Sequence, residues 1–111
     1  MSDRELLEFA AKAAGIDAHW GDGWQSHMMF RALPRPNSPL VTNVEWNPLA
    51  DDADALRLAV KCKIEVVQFS LLVRADVAGL PDVREPYNGD PIAATRRAIV
   101  RAAAEIGRQM P

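Results

Sequence analysis

Arginine is the residue type in this chain best placed to do chemistry. The stretch DPIAATRRAIVRAAAEIGRQM, residues 90–110, carries Arg96, Arg97, Arg101 and Arg108. A guanidinium stays charged and presents a planar fork of donors, so spaced arginines either hold an oxyanion or coat a solvated face. On a helical wheel turning about 100° per residue, Ile92, Ile99, Ala103, Ile106 and Met110 share one side. Arg97, Arg101 and Arg108 form a narrow stripe away from that side, with Glu105 set for i,i+3 and i,i+4 pairs. The stripe reads as a solvated face. Arg96 instead lies beside Val100 and Ala103 at the edge of the apolar side, where an unpaired charge is costly. Two partners are open to it: an acid from another element (Asp51, Asp52 or Glu45), or a phosphate or carboxylate ligand. The first helical turn, following Tyr87-Asn88-Gly89-Asp90, offers backbone N–H groups to an anion, although Asp90 as a cap competes for them.

Other chemistry finds less support. His19 and His27 form no close metal-binding pair with each other or with a cysteine. Asp51, Asp52 and Asp54 lack the spacing and terminal glutamate of a calcium loop, and helix capping explains them better. The single cysteine, Cys62, permits no intramolecular disulfide and no CxxC metal motif. No GxSxG elbow and no GxxxxGK[ST] phosphate loop occurs. The expectation is a protein that is not an enzyme and uses neither metal nor cofactor.

The elements that position these residues follow from capping and periodicity. Residues 2–14 predict a helix, with Ser2 and Glu5 as a capping box and Gly15 ending it in a left-handed turn. Leu6, Phe9, Ala10 and Ala13 fall on one face. Asp22-Gly23, flanked by Trp20 and Trp24, predicts a tight hairpin whose tryptophans pack together or form a platform for a flat ligand. LPRPNSPL must be a loop, and VTNVEW a short strand with Val41 and Val44 available to the interior. Asp51 caps a second helix, with Leu56, Ala59 and Val60 as its main apolar face. Leu58 and Cys62 lie well off that face, so the apolar arc is wide enough to be covered on two sides. KIEVVQFSLLVRADV reads as strand, broken near Ser70, and AGLPDVREPYNGD as loop. Asp90 and Pro91 then open the last helix as cap and first residue.

At 111 residues the chain fits one domain, 1–111, able to bury a core without staples. Hydrophobic residues at 49% and charged residues at 25% exclude a disordered chain. A net charge of −2 argues against a dedicated nucleic-acid or membrane-surface binder. The N-terminus MSDRELLEF has no apolar signal core, and no run approaches the roughly 20 apolar residues of a membrane span, so a cytoplasmic location is expected.

Two segments, WNPLADDADALRLAVK at 46–61 and REPYNGDPIAATRRAIVRAAAEIG at 84–107, together with LLEFAAKAAGI at 6–16, bear jointly on kinship. Their order and spacing resemble the small phage and prophage proteins with the α-β-α sandwich domain. That resemblance implies an antiparallel sheet layered between helices in a protein encoded by a temperate phage. Some small phage proteins of comparable architecture sequester cyclic nucleotide signals. The fold expected is therefore α+β: three or four mostly antiparallel strands layered with three helices. The function expected is non-catalytic binding, to a host protein or as a homodimer, with Trp20, Trp24, Trp46 and Tyr87 as exposed interface aromatics. The alternative is capture of a nucleotide-like anion by Arg96 and Arg97 with Trp46, Tyr87 and Asn88.

Overall fold

A computed structural model describes all residues, Met1–Pro111. Three helices and six strands alternate in the order α1 (Asp3–Ala13), β1 (Ala18–Trp20), β2 (Met29–Pro34), β3 (Val41–Glu45), α2 (Asp52–Lys61), β4 (Glu65–Gln68), β5 (Leu72–Asp76), β6 (Val83–Pro86) and α3 (Pro91–Gln109). The class is α+β and every strand pairing is antiparallel, as expected. The strands divide into two three-stranded sheets, β1-β2-β3 and β4-β5-β6, and with the helices they fit a layered sandwich.

Local chemistry sets the helix boundaries. Ser2 and Glu5 exchange the reciprocal bonds of a capping box, Asp51 accepts from the Asp54 N–H, and Asp90 accepts from the Ala93 N–H. Each bond satisfies a donor that the first turn of a helix otherwise leaves free. Gly15, at φ +68°, takes the left-handed position that ends α1.

The core is one cluster built around α3, which packs against α1, α2, β5 and β6. Strand β5 alternates, sending Val73 and Ala75, both fully buried, inward. Alanines at 94, 98, 102, 103 and 104 keep the buried surface of α3 shallow, which brings neighbouring backbones close. Closest is the crossing with α1. A Cβ built on Gly107 would lie 1.9 Å from the Phe9 carbonyl oxygen and 2.7 Å from its carbon, so only glycine fits there.

Several sequence expectations fail, each because packing overrides a local pattern. Trp20 and Trp24 do not face each other across a tight turn. Trp20 pairs with Met29, and a 3₁₀ turn at Gly23–Gln25 carries Trp24 outward, 79% exposed. Trp20 instead lies beneath the Arg4 guanidinium, 3.9 Å above its ring, and donates to Glu8 at 3.1 Å. Strand β3 forms as expected, but Val41 and Val44 are exposed, because the β2–β3 ribbon runs out beyond the helices. Residues 83–86, read as loop, form the edge strand β6 against β5. In α2 the inward residues are Ala55, Leu58 and Ala59, while Leu56 and Val60 point out. Ile92, expected on the apolar side of α3, is also exposed.

Replacing Gly107 with alanine should destabilise the protein by roughly 2–3 kcal/mol, the upper range of overpacking costs, despite alanine's advantage of about 1 kcal/mol in a helix interior. Urea denaturation measures this. Unchanged or increased stability would mean that α1 and α3 do not meet at this point.

A groove between α2 and α3 as the candidate binding site

The outward face of α2 leaves large apolar residues uncovered. Its sequence carries apolar residues around a wide arc, and the chain covers only one part of that arc. Leu58 and its neighbours enter the core, whereas Leu56 and Val60, one turn apart, are 65% and 71% exposed. Beside them runs an open groove of about 360 Å³ between α2 and the start of α3. Ala55 and Ile99 contribute to its lining, along with Leu56 and the exposed Ile92, and Arg96 and Asp52 border it. At Gln68 the groove meets the β4–β5 turn, which holds the exposed Phe69 and Leu71.

Polar contacts hold this arrangement in place. Arg96 donates from Nη1 to Asp52 Oδ1 at 2.7 Å and from Nε to the Leu49 carbonyl at 2.8 Å. The first bond ties α3 to the N-terminal turn of α2, and the second ties it to the segment leading in. Asp52 is one of the three acids that the sequence offered as a partner. The guanidinium is thus engaged within the chain and forms part of the groove's rim. The single Tyr87 hydroxyl proton is shared between Gln68 Oε1 and the Phe69 carbonyl, and Gln68 Nε2 donates to the Thr95 hydroxyl. Tyr87 therefore anchors the β4–β5 turn beside the groove.

The other expected site residues lie elsewhere. Trp46 is only 2% exposed, wedged in the core at the root of the β2–β3 ribbon, and has no open face on which a ligand could stack. Asn88 sits exposed in the turn before α3 at φ +49°. Arg97 pairs with Asp3 at 2.9 Å, on a different side of α3. Arg101 bonds Glu85 and the Arg84 carbonyl. Of the arginine stripe read as a solvated face, only Arg108 keeps its local pair, with Glu105 at 2.9 Å. The five residues expected to share one anion site are therefore not assembled into one. The exposed faces of Leu56 and Val60 were missed, although the wide arc of α2 was the signal for them.

Three groups titrate away from their ordinary range, and none lines the groove. Hydrogen bonds from Ser2, backbone first, hold the Glu5 carboxyl down. Burial pushes the Cys62 thiol up, against the opposing effect of Lys61, which keeps it from acting as a ready nucleophile. A hydrogen bond from Arg84 holds Asp82 down. No group of three or more His, Cys, Asp or Glu side chains converges as a metal site would, and no helix is long and apolar enough to cross a membrane.

No family model, curated protein or solved structure matches the chain.

The two bonds of Arg96 predict unequal mutational costs. Arg96→Ala removes both and leaves the Leu49 carbonyl without this donor, for a loss of about 1.5–3 kcal/mol. Asp52→Asn weakens only the contact with an exposed carboxylate, for a loss under about 1 kcal/mol. Thermal unfolding of both variants measures the difference. Equal losses would contradict the assignment of the buried end of Arg96 to the Leu49 carbonyl.

Proposed function

We propose that this chain is a non-catalytic binding protein whose working surface is the α2–α3 groove, and that the occupant is a second copy of the chain. The carrying observation is the exposure of Leu56 and Val60 beside an apolar groove containing Ile92. Such a surface is self-complementary. In a two-fold arrangement the Leu56–Val60 ridge of each copy enters the groove of the other. The charges of α2 fit the same arrangement. Asp51, Asp52 and Asp54 stand at its N-terminal end, and Arg57, Lys61 and Lys63 towards its C-terminal end. Two α2 helices running antiparallel therefore bring acid against base and oppose their dipoles. Phe69 and Leu71 extend the patch and supply the aromatic and aliphatic content usual at an interface centre.

An accessory role in a phage or prophage belongs to the same proposal, and it rests on the resemblance to small phage and prophage proteins. The reading keeps the chain in the cytoplasm, with no membrane or nucleic-acid partner. Capture of an anion by Arg96 and Arg97 is the weaker alternative, because both guanidiniums already meet carboxylates of this chain.

Sedimentation of the wild-type protein should give twice the 12.2 kDa mass of one chain. The double variant Leu56→Gln, Val60→Gln alters two exposed positions and should fold normally. Its dimer should dissociate at least about a hundredfold more readily, equivalent to roughly 2.7 kcal/mol. A wild-type protein that stays monomeric at high micromolar concentration, or a double variant that dimerises unchanged, would overturn the proposal.

A further inference from the structure

On the opposite flank of α2 from the Leu56–Val60 ridge lies a second cavity, of about 330 Å³, where α2 meets the end of α1 and the root of the β2–β3 ribbon. Three cations, Arg31, Arg57 and Lys61, share its lining with Trp46, Leu58 and Ile16, and no acidic residue is among the lining residues. Lys61 has an ordinary explanation, since a basic residue in the last turn of a helix complements its dipole. Arg57 meets Asp54 at 3.5 Å, from a largely exposed position that leaves it free to turn.

Arg31 has no such explanation. It sits mid-strand in β2, on the ribbon face that carries Met29 and Val44, and it forms no ion pair. Its Nε is buried without any hydrogen-bond partner. A buried guanidinium donor without an acceptor is costly, and nearby cations raise that cost. An oxyanion in the cavity would satisfy all of these groups at once. Guanidinium forks match phosphate oxygens, and an ammonium supplies a further point charge.

We propose that this cavity is an anion-binding site for a small molecule bearing a phosphate group, with Arg31 as its central ligand and Arg57 and Lys61 as flanking charges. The cavity's volume exceeds what one phosphate needs and falls within the range of small-molecule sites. Half-buried Ile16, at the cavity wall, gives an uncharged portion of the ligand an apolar contact. The site shares Arg57 and Lys61 with the charge pattern of the self-association proposed above, but its central ligand Arg31 does not belong to that surface, and Leu56 and Val60 line no part of the cavity.

The test is thermal unfolding and calorimetric titration of the full chain with pyrophosphate, inorganic phosphate and citrate at constant ionic strength. Pyrophosphate should bind saturably and raise the melting temperature, because it binds only the folded state. Arg31→Met should weaken that binding by about tenfold or more, as expected for losing a charge-assisted contact. Arg31→Met should also melt no lower than wild type without ligand, since it removes an unsatisfied buried donor. Lys61→Met should weaken binding while leaving the fold intact, which provides a second reading should Arg31→Met fail to fold. The Leu56→Gln, Val60→Gln variant should bind pyrophosphate as wild type does. No saturable binding at millimolar pyrophosphate, equal shifts in wild type and both charge variants, or tighter binding of citrate than of pyrophosphate would each overturn the proposal.

Discussion

Where α1 crosses α3, the Phe9 carbonyl oxygen occupies the space that any side chain at position 107 would need. This contact fixes the distance between the two helices, and much of the remaining packing follows from that distance. A crossing this close demands small residues nearby, which fits Ala10 and Ala11 on α1, Ala14 just past its end, and Ala103 and Ala104 on α3, all buried. With α1 held so tightly against its C-terminal half, α3 can present its other buried faces to β5, β6 and α2. The third helix is therefore central, and three short layers close around it with alanine as the main filler.

That arrangement also explains why α2 is left half-covered. Arg96 holds α2 at the N-terminal half of α3 through Asp52 and the Leu49 carbonyl. Ala55 and Ala59 sit close to the core, but nothing in the chain reaches over Leu56 and Val60. Single exposed apolar residues are ordinary, whereas several gathered in one patch mark an interaction surface. Here five of them, Leu56, Val60, Phe69, Leu71 and Ile92, stand exposed around one groove or in the turn beside it. The charged residues divide in a similar way. Most arginines are engaged by acids from other elements or from their own, whereas Arg31 finds no acid and keeps a buried donor unsatisfied. The two surfaces that look incomplete lie on opposite flanks of the same helix.

Much of the fold was legible in the sequence, for local reasons. Ser2, Asp51 and Asp90 cap helices through bonds spanning three residues, so their roles are visible in one window. The break between β4 and β5 near Ser70 was readable in the same way. Strand β6 was hidden because prolines bracket it; Pro86 is tolerated there since β6 is an edge strand. Val41 and Val44 marked a strand correctly, but β-branching does not say whether a core lies beneath it. The burial of Trp46 depends on long-range packing at the ribbon root, which no nearby residue signals. For the site, the placement of Arg96 at an apolar edge signalled that it needs a partner but left an acid and a ligand anion both open; in the fold it meets Asp52. The wide arc of α2 signalled a second covering surface without showing which side would lack one. Arg31 carried no signal at all, because its isolation depends on which acids the fold keeps away.

Amide hydrogen exchange at low and high protein concentration tests the central claim most directly, because it reports which segments become covered. The account predicts that protection rises with concentration at residues 56–60, in the first turns of α3 and in the β4–β5 turn. The exposed β2–β3 ribbon should exchange alike under both conditions. Protection that does not change with concentration, or that rises in the ribbon instead of α2, would contradict the assignment of the α2–α3 groove as the binding surface.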